Sequence, residues 1–419
     1  MTTASAGIRP VAGSPDLKPY LRLLTATQFA FNTGFYAVLP YLAAHLGDGL
    51  GMAGWLVGLV LGLRTFSQQG LFVVGGALTD RYGPRPVVLA GCVLRIAGFC
   101  WLAGADSTAT VIGAVLLIGF AAALFSPAVE SETARSAVAY ESENGTPRAQ
   151  VLAVFSAAGQ AGAFLGPLLG SLLLLLGGGF RTACLAGAVV FVGVLAGHAR
   201  LMPRQPRRVR AAGAGTTAAR HVFGNRPFLV LCLVFSTYLV SYNQLYLALP
   251  QEVERATGSQ GAIGGLFALS SLLVVVAQLP LTRWSARRTA PRTALVAGLV
   301  AVAAGFAAVP LAPAGPAGLL PAASLVVLLT LGQMLLVPAV RGLVPDLVDD
   351  HRLGLATGAL SSVSGLAVLM GSAATGTLLD SPGPVLWSVL AAVPLAGAAL
   401  ALTLPGGQRE PEPATTVTD

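Results

Sequence analysis

The sequence is poor in charged residues and in cysteine. Only 10% of its 419 residues are Asp, Glu, Lys or Arg and 55% are hydrophobic, whereas a soluble domain carries roughly 25% charged residues. This composition excludes a soluble globular protein. The four cysteines have no close pairing in sequence, which excludes a disulfide framework and a zinc site and leaves a role as small apolar packing residues; they are Cys92, Cys100, Cys184 and Cys232.

Motifs of enzymes and of nucleotide-driven pumps are also missing. No P-loop is present, so ATP-driven pumping by this chain is disfavoured. We expect no catalytic residues, no cofactor and no metal site. The net charge of +8 is not carried by a soluble basic face, and we therefore expect no nucleic-acid binding.

The chain does contain apolar stretches of about 18 to 25 residues, each long enough to cross a bilayer as a helix. We predict twelve spans, at 20–44, 52–77, 86–104, 109–131, 150–176, 180–200, 227–250, 261–282, 293–312, 317–341, 354–379 and 384–404. The expected fold class is an all-α membrane protein of two parallel six-helix repeats.

Basic residues set the orientation, because Lys and Arg are retained in short cytoplasmic loops. Of the 25 basic residues, 21 lie at the termini and in alternate loops on one side, whereas Arg181 and Arg255 lie on the other side and Arg64 and Arg95 lie within spans. We predict that both termini are cytoplasmic and that the protein lies in the cytoplasmic (inner) membrane.

The two halves resemble each other. Leu39-Pro40 in span 1 recurs as Leu249-Pro250 in span 7, and the tripeptide 127–129 in span 4 recurs as 338–340 in span 10, as expected of a duplicated transporter. The predicted organisation is a tail at 1–19, a six-helix bundle at 20–200, a basic linker at 201–226, a second bundle at 227–404 and a tail at 405–419.

The loop between spans 2 and 3 carries the most specific motif, Gly76-Ala-Leu-Thr-Asp80-Arg81-Tyr-Gly83-Pro-Arg85. It resembles the signature of the major facilitator superfamily, G-x-x-x-D-R-x-G-x-[RK]. The resemblance implies the twelve-helix fold of that superfamily. It also implies that this loop gates the cytoplasmic side.

The same resemblance assigns roles to the charged residues. Asp80 would latch the two halves together near Gly354 when the protein faces outward. The arginines of the loop would pair with the acids Glu130 and Glu132 below span 4. The gating residues expected on this basis are Gly76, Asp80, Arg81, Gly83, Arg85 and Glu130.

Span 5 contains glycines four residues apart, Gly162, Gly166 and Gly170, together with Pro167. Such glycines line one helix face and permit close helix contact. The run resembles the antiporter motif of drug:proton exporters in the same superfamily, and a plain packing face remains the alternative. Kinship with those exporters implies proton coupling. However, the acid that they carry in the first span is Thr27 here, and no acid lies near the middle of a predicted span.

Two arginines, Arg64 and Arg95, fall at mid-depth, where an unpaired guanidinium is costly. Arg64 could bind an anionic or carbonyl-bearing solute, stand in for a coupling ion, or cap backbone carbonyls; for Arg95 the structural role is favoured. Neutral polar residues on several spans indicate a shared polar interior, with hydrogen bonding between helices as the alternative for each one. The candidate substrate-binding residues are Gln28, Asn32, Arg64, Gln160, Tyr238, Tyr242, Gln278 and Gln333.

These observations predict a secondary transporter that exports drug-like or secondary-metabolite molecules by alternating access, with proton antiport implied by kinship. Two alternatives stay open. One is an importer or facilitator of an anionic metabolite with the same fold, and the other is a non-transporting membrane sensor or scaffold. The expected partners are a small-molecule substrate, the lipid bilayer and protons, and we expect a monomer.

Overall fold

The protein was examined as a computed structural model that describes residues 17–203, 224–258, 260–311, 318–348, 353–379 and 383–405. Within these ranges only the backbone is described at Leu17, Asp80, Ala149 and Gly354. Every regular element of the described ranges is helical, which confirms the predicted fold class.

The first half consists of eight helices: α1 (Leu17–Tyr36), α2 (Leu39–Ala44), α3 (Gly54–Gln69), α4 (Phe72–Tyr82), α5 (Pro84–Ala103), α6 (Thr108–Asn144), α7 (Arg148–Leu175) and α8 (Gly179–Leu201). The second half consists of six: α9 (Arg226–Thr257), α10 (Ala262–Arg288), α11 (Pro291–Ala308), α12 (Leu319–Leu347), α13 (Leu353–Leu379) and α14 (Pro384–Ala401). A π-helical turn at His45–Gly49 follows α2, and a 3₁₀ turn at Val309–Leu311 follows α11.

Eleven stretches of the described residues are long and apolar enough to cross a membrane. The first span falls outside this set because α1, although 20 residues long, contains polar residues such as Gln28 and Asn32 that lower its hydropathy. The span is also divided: α1 ends at Tyr36 and α2 begins at Leu39. Pro40 explains the division, since it lacks an N–H and its ring crowds the carbonyl four residues earlier. With α1 and α2 counted together as span 1, and α3 with α4 as span 2, the helices correspond to the twelve predicted spans.

Span 4 is much longer than predicted. The sequence places its end at residue 131, whereas α6 continues to Asn144 and ends at Gly145, a glycine with a φ of 67°. A left-handed residue at this position is a common helix stop that glycine adopts without strain. Glu130 and Glu132 therefore lie on a helix and not in a loop below it.

Both termini of the described chain lie at one end of the bundle, here called the tail end; the opposite end, which carries the turn at His45–Gly49, is called the far end. Within the first half, span 1 packs on span 5 and span 3 packs on spans 4 and 6. Within the second half, span 9 packs on spans 10 and 12 and span 7 packs on span 11. The halves meet where span 2 contacts span 11 and where span 5 contacts span 8.

Small residues let spans 2 and 11 approach closely. A Cβ atom at Gly58 would overlap the backbone carbonyl of Ser372, and one at Gly62 would lie 2.8 Å from the Cα of Leu369. Close contact of backbones through glycine is a general device for packing helices in membranes. Neither glycine therefore tolerates a side chain without separation of the two helices.

Spans 5 and 8 meet at the far end and are exposed towards the tail end. The Ser171 hydroxyl lies 3.5 Å from the Gly261 carbonyl oxygen, while Val154 and Val276 are exposed on the tail-end parts of the two helices. A cleft of about 600 Å³ opens at the tail end between span 1, the end of span 4 and the start of span 5. Spans 5 and 8 therefore meet at the far end, while the cleft at the tail end is lined by residues of the first half.

Candidate functional site

Arg64 lies on span 2 and is only 8% exposed. Its NH2 group donates to the Gln68 Oε1 one turn away, at 3.2 Å, and its guanidinium carbon lies 5.0 Å from the centre of the Phe35 ring on span 1. Among the described residues, its Nε and NH1 atoms have no hydrogen-bond partner. Arg64 thus caps no backbone carbonyl of the described residues and keeps donors open to a ligand.

Arg95 on span 3 is held differently. It is 1% exposed and its NH1 group donates to the Ile118 carbonyl oxygen at 2.9 Å. Four phenylalanine rings surround its guanidinium at 4.8 to 5.3 Å, those of Phe31, Phe35, Phe99 and Phe191. Aromatic faces attract a cation, and most strongly where water is excluded. Phe35 is shared, so this ring couples Arg95 to Arg64.

The tyrosines of span 7 form a continuous stripe towards Arg64. The Tyr238 and Tyr242 rings lie 5.9 Å apart and the Tyr242 and Tyr246 rings 6.0 Å apart, because residues four apart share a helix face. The Tyr242 phenol also lies near that of Tyr36 on span 1. The phenols of Tyr36, Tyr242 and Tyr246 all lie within electrostatic reach of the Arg64 guanidinium.

Polar contacts tie the two halves together beside this cluster. The Thr65 hydroxyl of span 2 donates to the Asn243 Oδ1 of span 7 at 3.2 Å, and Asn243 donates to the Ser372 hydroxyl of span 11 at 2.8 Å. Both amide atoms of Asn243 are therefore used structurally. Arg64 and Tyr242, each one residue from this chain of bonds, lie where the two halves meet.

The structure does not bring the predicted amides to the same place. Gln28 and Asn32 lie against Gly159 of span 5, and Asn32 donates to the Gln28 backbone carbonyl at 3.0 Å. Gln278 donates to Thr282 and to the Met334 carbonyl of span 10, which is the helix-to-helix bonding expected as its alternative. Gln160 and Gln333 are partly buried on spans 5 and 10.

The glycine face of span 5 packs on span 1. A Cβ at Gly162 or Gly170 would overlap backbone carbonyl oxygens of span 1, and one at Gly166 would lie 2.8 Å from the Thr33 carbonyl oxygen. The Pro167 carbonyl accepts a 2.6 Å hydrogen bond from the Tyr41 hydroxyl. The glycines of this motif therefore pack span 5 on span 1 within the first half. These contacts support the interpretation of the motif as a packing face.

The loop motif between spans 2 and 3 has one glycine in a special conformation. Gly83 ends α4 with a φ of 84°, a region that other residues rarely adopt. A Cβ at Gly76 would meet nothing within 4 Å, whereas one at the preceding Gly75 would overlap the Ala123 carbonyl oxygen of span 4. The close contact thus belongs to Gly75, and the Asp80 side chain lies outside the described residues.

The predicted pairing of the loop arginines with Glu130 and Glu132 was wrong. Arg85 donates instead to the Ala199 carbonyl oxygen at 2.7 Å, and Arg81 stacks on the neighbouring Tyr82 ring. Glu132 is buried and paired on its own helix, where Arg135 NH2 donates to it at 2.7 Å. The prediction failed because span 4 continues as a helix beyond residue 131 and directs Glu132 into the protein. There the Tyr20 hydroxyl also donates to Glu132, at 3.1 Å.

Glu130 faces the other half of the molecule. Both Glu130 and Arg341 are exposed near the tail end, and the Arg341 charge acts on the Glu130 carboxylate without a direct salt bridge. The two residues follow the repeated tripeptide of spans 4 and 10. Duplication therefore places opposite charges at equivalent positions of the two halves.

A carboxyl pair bridges the halves at the far end. The Gln260 amide donates to the Glu254 Oε2 at 2.9 Å and reaches the Asp48 Oδ2 at 3.4 Å. Burial, together with the nearby Glu254 carboxylate, raises the pKa of Asp48. Protonation of Asp48 consequently favours contact between the halves at this end.

Sequence reasoning did not identify several neighbours of these groups. Thr27, where an acid was expected from kinship, lies 2.9 Å from the Nε2 of the fully buried His198. Tyr36 and Arg341 gave no signal beyond their residue type, because their partners lie on distant spans. Among the described residues, no three His, Cys, Asp or Glu side chains are grouped as metal ligands.

Comparisons with known proteins agree with this architecture. A sequence profile of the Major Facilitator Superfamily matches residues 23–371 and 231–418. The chain is 38% identical over 373 residues to an uncharacterized MFS-type transporter of Mycobacterium tuberculosis, with 86% of each chain covered. It is 31% identical over 345 residues to multidrug resistance protein MdtH of Aeromonas hydrophila, with 79% of this chain and 83% of the relative covered.

Solved structures share the fold at low sequence identity. The nucleoside transporter NupG superposes with a TM-score of 0.75 at 15% identity, covering 93% of this chain and 99% of NupG. The peptide transporter POT, in complex with sulfate, superposes with a TM-score of 0.74 at 16% identity, covering 94% and 95%. Together with the match of the family profile along nearly the whole chain, these findings place the chain in the major facilitator superfamily.

Proposed function

We propose that this protein exports drug-like or secondary-metabolite small molecules across the cytoplasmic membrane by alternating access. The observation that supports the proposal is the asymmetry of the bundle: spans 5 and 8 meet at the far end at Ser171 and Gly261, while a cleft beside spans 1, 4 and 5 opens at the tail end. The distribution of Lys and Arg supports a cytoplasmic position of the tail end. The structure then corresponds to the inward-facing state, which takes up solute from inside the cell.

The sequence relatives support export over uptake. Multidrug resistance protein MdtH is similar to this chain over 79% of its length, so the likeness extends through both halves. The nucleoside and peptide transporters are less than 20% identical and support the fold only. Export of amphipathic solutes also accords with a central cluster of aromatic rings around Arg64.

Charged residues at the tail end provide the gate of the proposed cycle. Closure of the cleft would bring Glu130 and Arg341 into contact, and Asp80 would act as the latch of the outward-facing state. At the far end, opening would break the contacts of Gln260 with Asp48 and Glu254. Ligand binding shifts such an equilibrium only by its difference in affinity between the two states.

Proton antiport is the driving reaction that we propose, on kinship. A proton-coupled carrier needs a titratable group that both sides can reach. The acids Glu132 and Glu252 do not supply it freely, because Arg135 and Arg255 pair with them. Among the described residues, Asp48 and Glu254 form a carboxyl pair that would exchange protons with the outer side when the bundle opens at the far end.

Transport into everted membrane vesicles tests the direction. Vesicles containing the protein, with their cytoplasmic face outward, are expected to accumulate cationic, neutral or anionic labelled drugs when the interior is made acidic. A Gly193→Val variant serves as control, because nothing lies within 4 Å of a Cβ at Gly193, and it is expected to behave as wild type. Accumulation only in right-side-out vesicles would contradict export and favour uptake of a metabolite.

A further inference from the structure

The open donors of Arg64 are the strongest unexplained feature of the molecule. A buried donor without a partner costs roughly 1–3 kcal/mol, and more when the group is charged. Among the described residues, Nε and NH1 of Arg64 have no partner, and the guanidinium donates to a single acceptor, the Gln68 amide oxygen. Such a group is stabilised when a ligand supplies the missing acceptors.

Arg95 does not compete for the same ligand. Its guanidinium is enclosed by four phenylalanine rings and bonded to the Ile118 carbonyl oxygen. Arg64 stacks on a single ring, that of Phe35. The remaining surroundings of Arg64 are the phenols of Tyr36, Tyr242 and Tyr246, which can donate hydrogen bonds to an anion.

At the depth of Arg64, the carboxylates of the described residues are already bonded and offer no free partner to a cationic solute. Glu132 is bonded to Arg135 and Tyr20, and Glu252 is bonded to Arg255 at the far end. Among the described residues, the titratable neighbours of Arg64 are tyrosine phenols, which are uncharged at neutral pH, and the cation Arg95. No described carboxylate neutralises Arg64, so an anionic ligand would supply its counter-charge.

The cleft at the tail end has the same electrostatic sign. Lys18 and Arg22 lie at its walls together with Phe29 and Tyr140. Clefts lined by one sign of charge concentrate ligands of the opposite sign. The open side of the bundle thus attracts anions and presents aromatic surface to them.

We propose that the transported solute is an amphipathic organic anion. Its carboxylate or equivalent oxyanion accepts hydrogen bonds from Arg64, with Tyr36 and Tyr242 donating beside it, and its aromatic body lies against the tyrosine stripe of span 7. Tyr36, Gln68 and Tyr242 are partly exposed, whereas the cavity beside Arg64 holds only about 20 Å³ in this state, so the solute would reach Arg64 from the side of these three residues once the cavity widens. This inference rests on the proposed function and specifies its substrate class.

Binding of three ligands with one common body tests the charge requirement. The full chain, purified in lipid nanodiscs, is titrated calorimetrically with 2-naphthoate, 2-naphthamide and 2-naphthylmethylammonium. We expect the acid to bind roughly tenfold to a hundredfold more tightly than the amide, as hydrogen bonds to charged groups imply. We expect the ammonium compound to bind most weakly.

Variants assign this preference to Arg64. Arg64→Gln is expected to remove the preference for the acid, and Arg64→Lys to retain part of it, because Lys keeps the charge but loses the planar donor geometry. Tyr242→Phe keeps the ring and removes one hydroxyl, so it is expected to weaken binding of 2-naphthoate and to leave binding of the other two ligands unchanged. This variant replaces Arg64→Gln in the test if Arg64→Gln does not fold. Arg292→Gln at the tail end, where Arg292 contacts the Leu404 carbonyl, is the matched arginine control and should bind like wild type.

The outcomes separate this inference from the proposed function. Equal binding of the three ligands, no binding of the acid, or an unchanged preference in both Arg64→Gln and Tyr242→Phe overturns the inference. Preferential binding of the acid that depends on Arg64 supports it, even if vesicles show uptake, a result that contradicts export alone. Export of all three compounds at equal rates overturns the inference and leaves the proposed function standing.

Discussion

Gly58→Val is expected to shift the protein towards the state that is open at the far end. In the structure a Cβ at this position would overlap the Ser372 carbonyl oxygen, and the obstacle is backbone that cannot rotate away. Overpacking of this kind costs about 1–3 kcal/mol. Since the contact exists only while spans 2 and 11 touch, the cost falls on the closed far end and changes the equilibrium roughly 5- to 150-fold.

The matched control is Gly193→Val on span 6. A Cβ there would meet nothing within 4 Å, so this variant makes the same change in helix propensity, a few tenths of a kcal/mol, without the overlap. Any difference between the two variants therefore reports the contact between the halves. Both variants should insert and purify like wild type.

Distances between pairs of spin labels measure the shift. One pair, at Asp106 and Leu311, spans the far end, and a second pair, at Asn144 and Arg287, spans the tail end. Gly58→Val is expected to lengthen the far-end distance and shorten the tail-end distance. Unchanged distance distributions in Gly58→Val, or the same change in Gly193→Val, would refute the reasoning that this glycine contact holds the far end closed.

Three further predictions concern charged groups. Cys at Arg287 is expected to react with an impermeant thiol reagent only from the cytoplasm and Cys at Asp48 only from outside; labelling of both from one side would contradict the orientation. Glu130→Arg and Arg341→Glu should each slow transport several-fold by repulsion, and the double exchange should restore it; additive loss would exclude their pairing. Because burial and Glu254 raise the pKa of Asp48, acid pH should favour the closed far end and rising pH should open it, and Asp48→Asn should abolish this dependence of the far-end spin-label distance.

The sequence predicts the fold well because the controlling signals are local. Apolar length sets the spans, and spacing of four residues sets the tyrosine stripe of span 7. The same local rule could have revealed the pairing of Glu132 with Arg135, three residues later on one helix. The error arose from ending span 4 at its last apolar run, although the helix continues through polar residues.

The details of the site depend on contacts between distant spans. The sequence marks Arg64 and Arg95 equally as mid-depth arginines, and only the packing of spans 1, 3 and 6 gives Arg95 its phenylalanine cage. Likewise, nothing local distinguishes Gly75 from Gly76, yet only Gly75 lies against span 4. Which side of a helix faces which neighbour is a property of the assembled bundle.

Net flux in oriented proteoliposomes tests the central claim most directly. The protein carries a Cys at Asp106, which lies at the far end. An impermeant thiol reagent added outside the liposomes inactivates only the molecules whose far end faces outward. The remaining active molecules all have the same orientation. With the far-end side made acidic, the account predicts protein-dependent net movement of 2-naphthoate from the tail end to the far end against its gradient, measured as the difference from protein-free liposomes in the same pH gradient. Net movement in the opposite direction, or a flux of labelled solute that only equilibrates its concentration, would contradict export by alternating access.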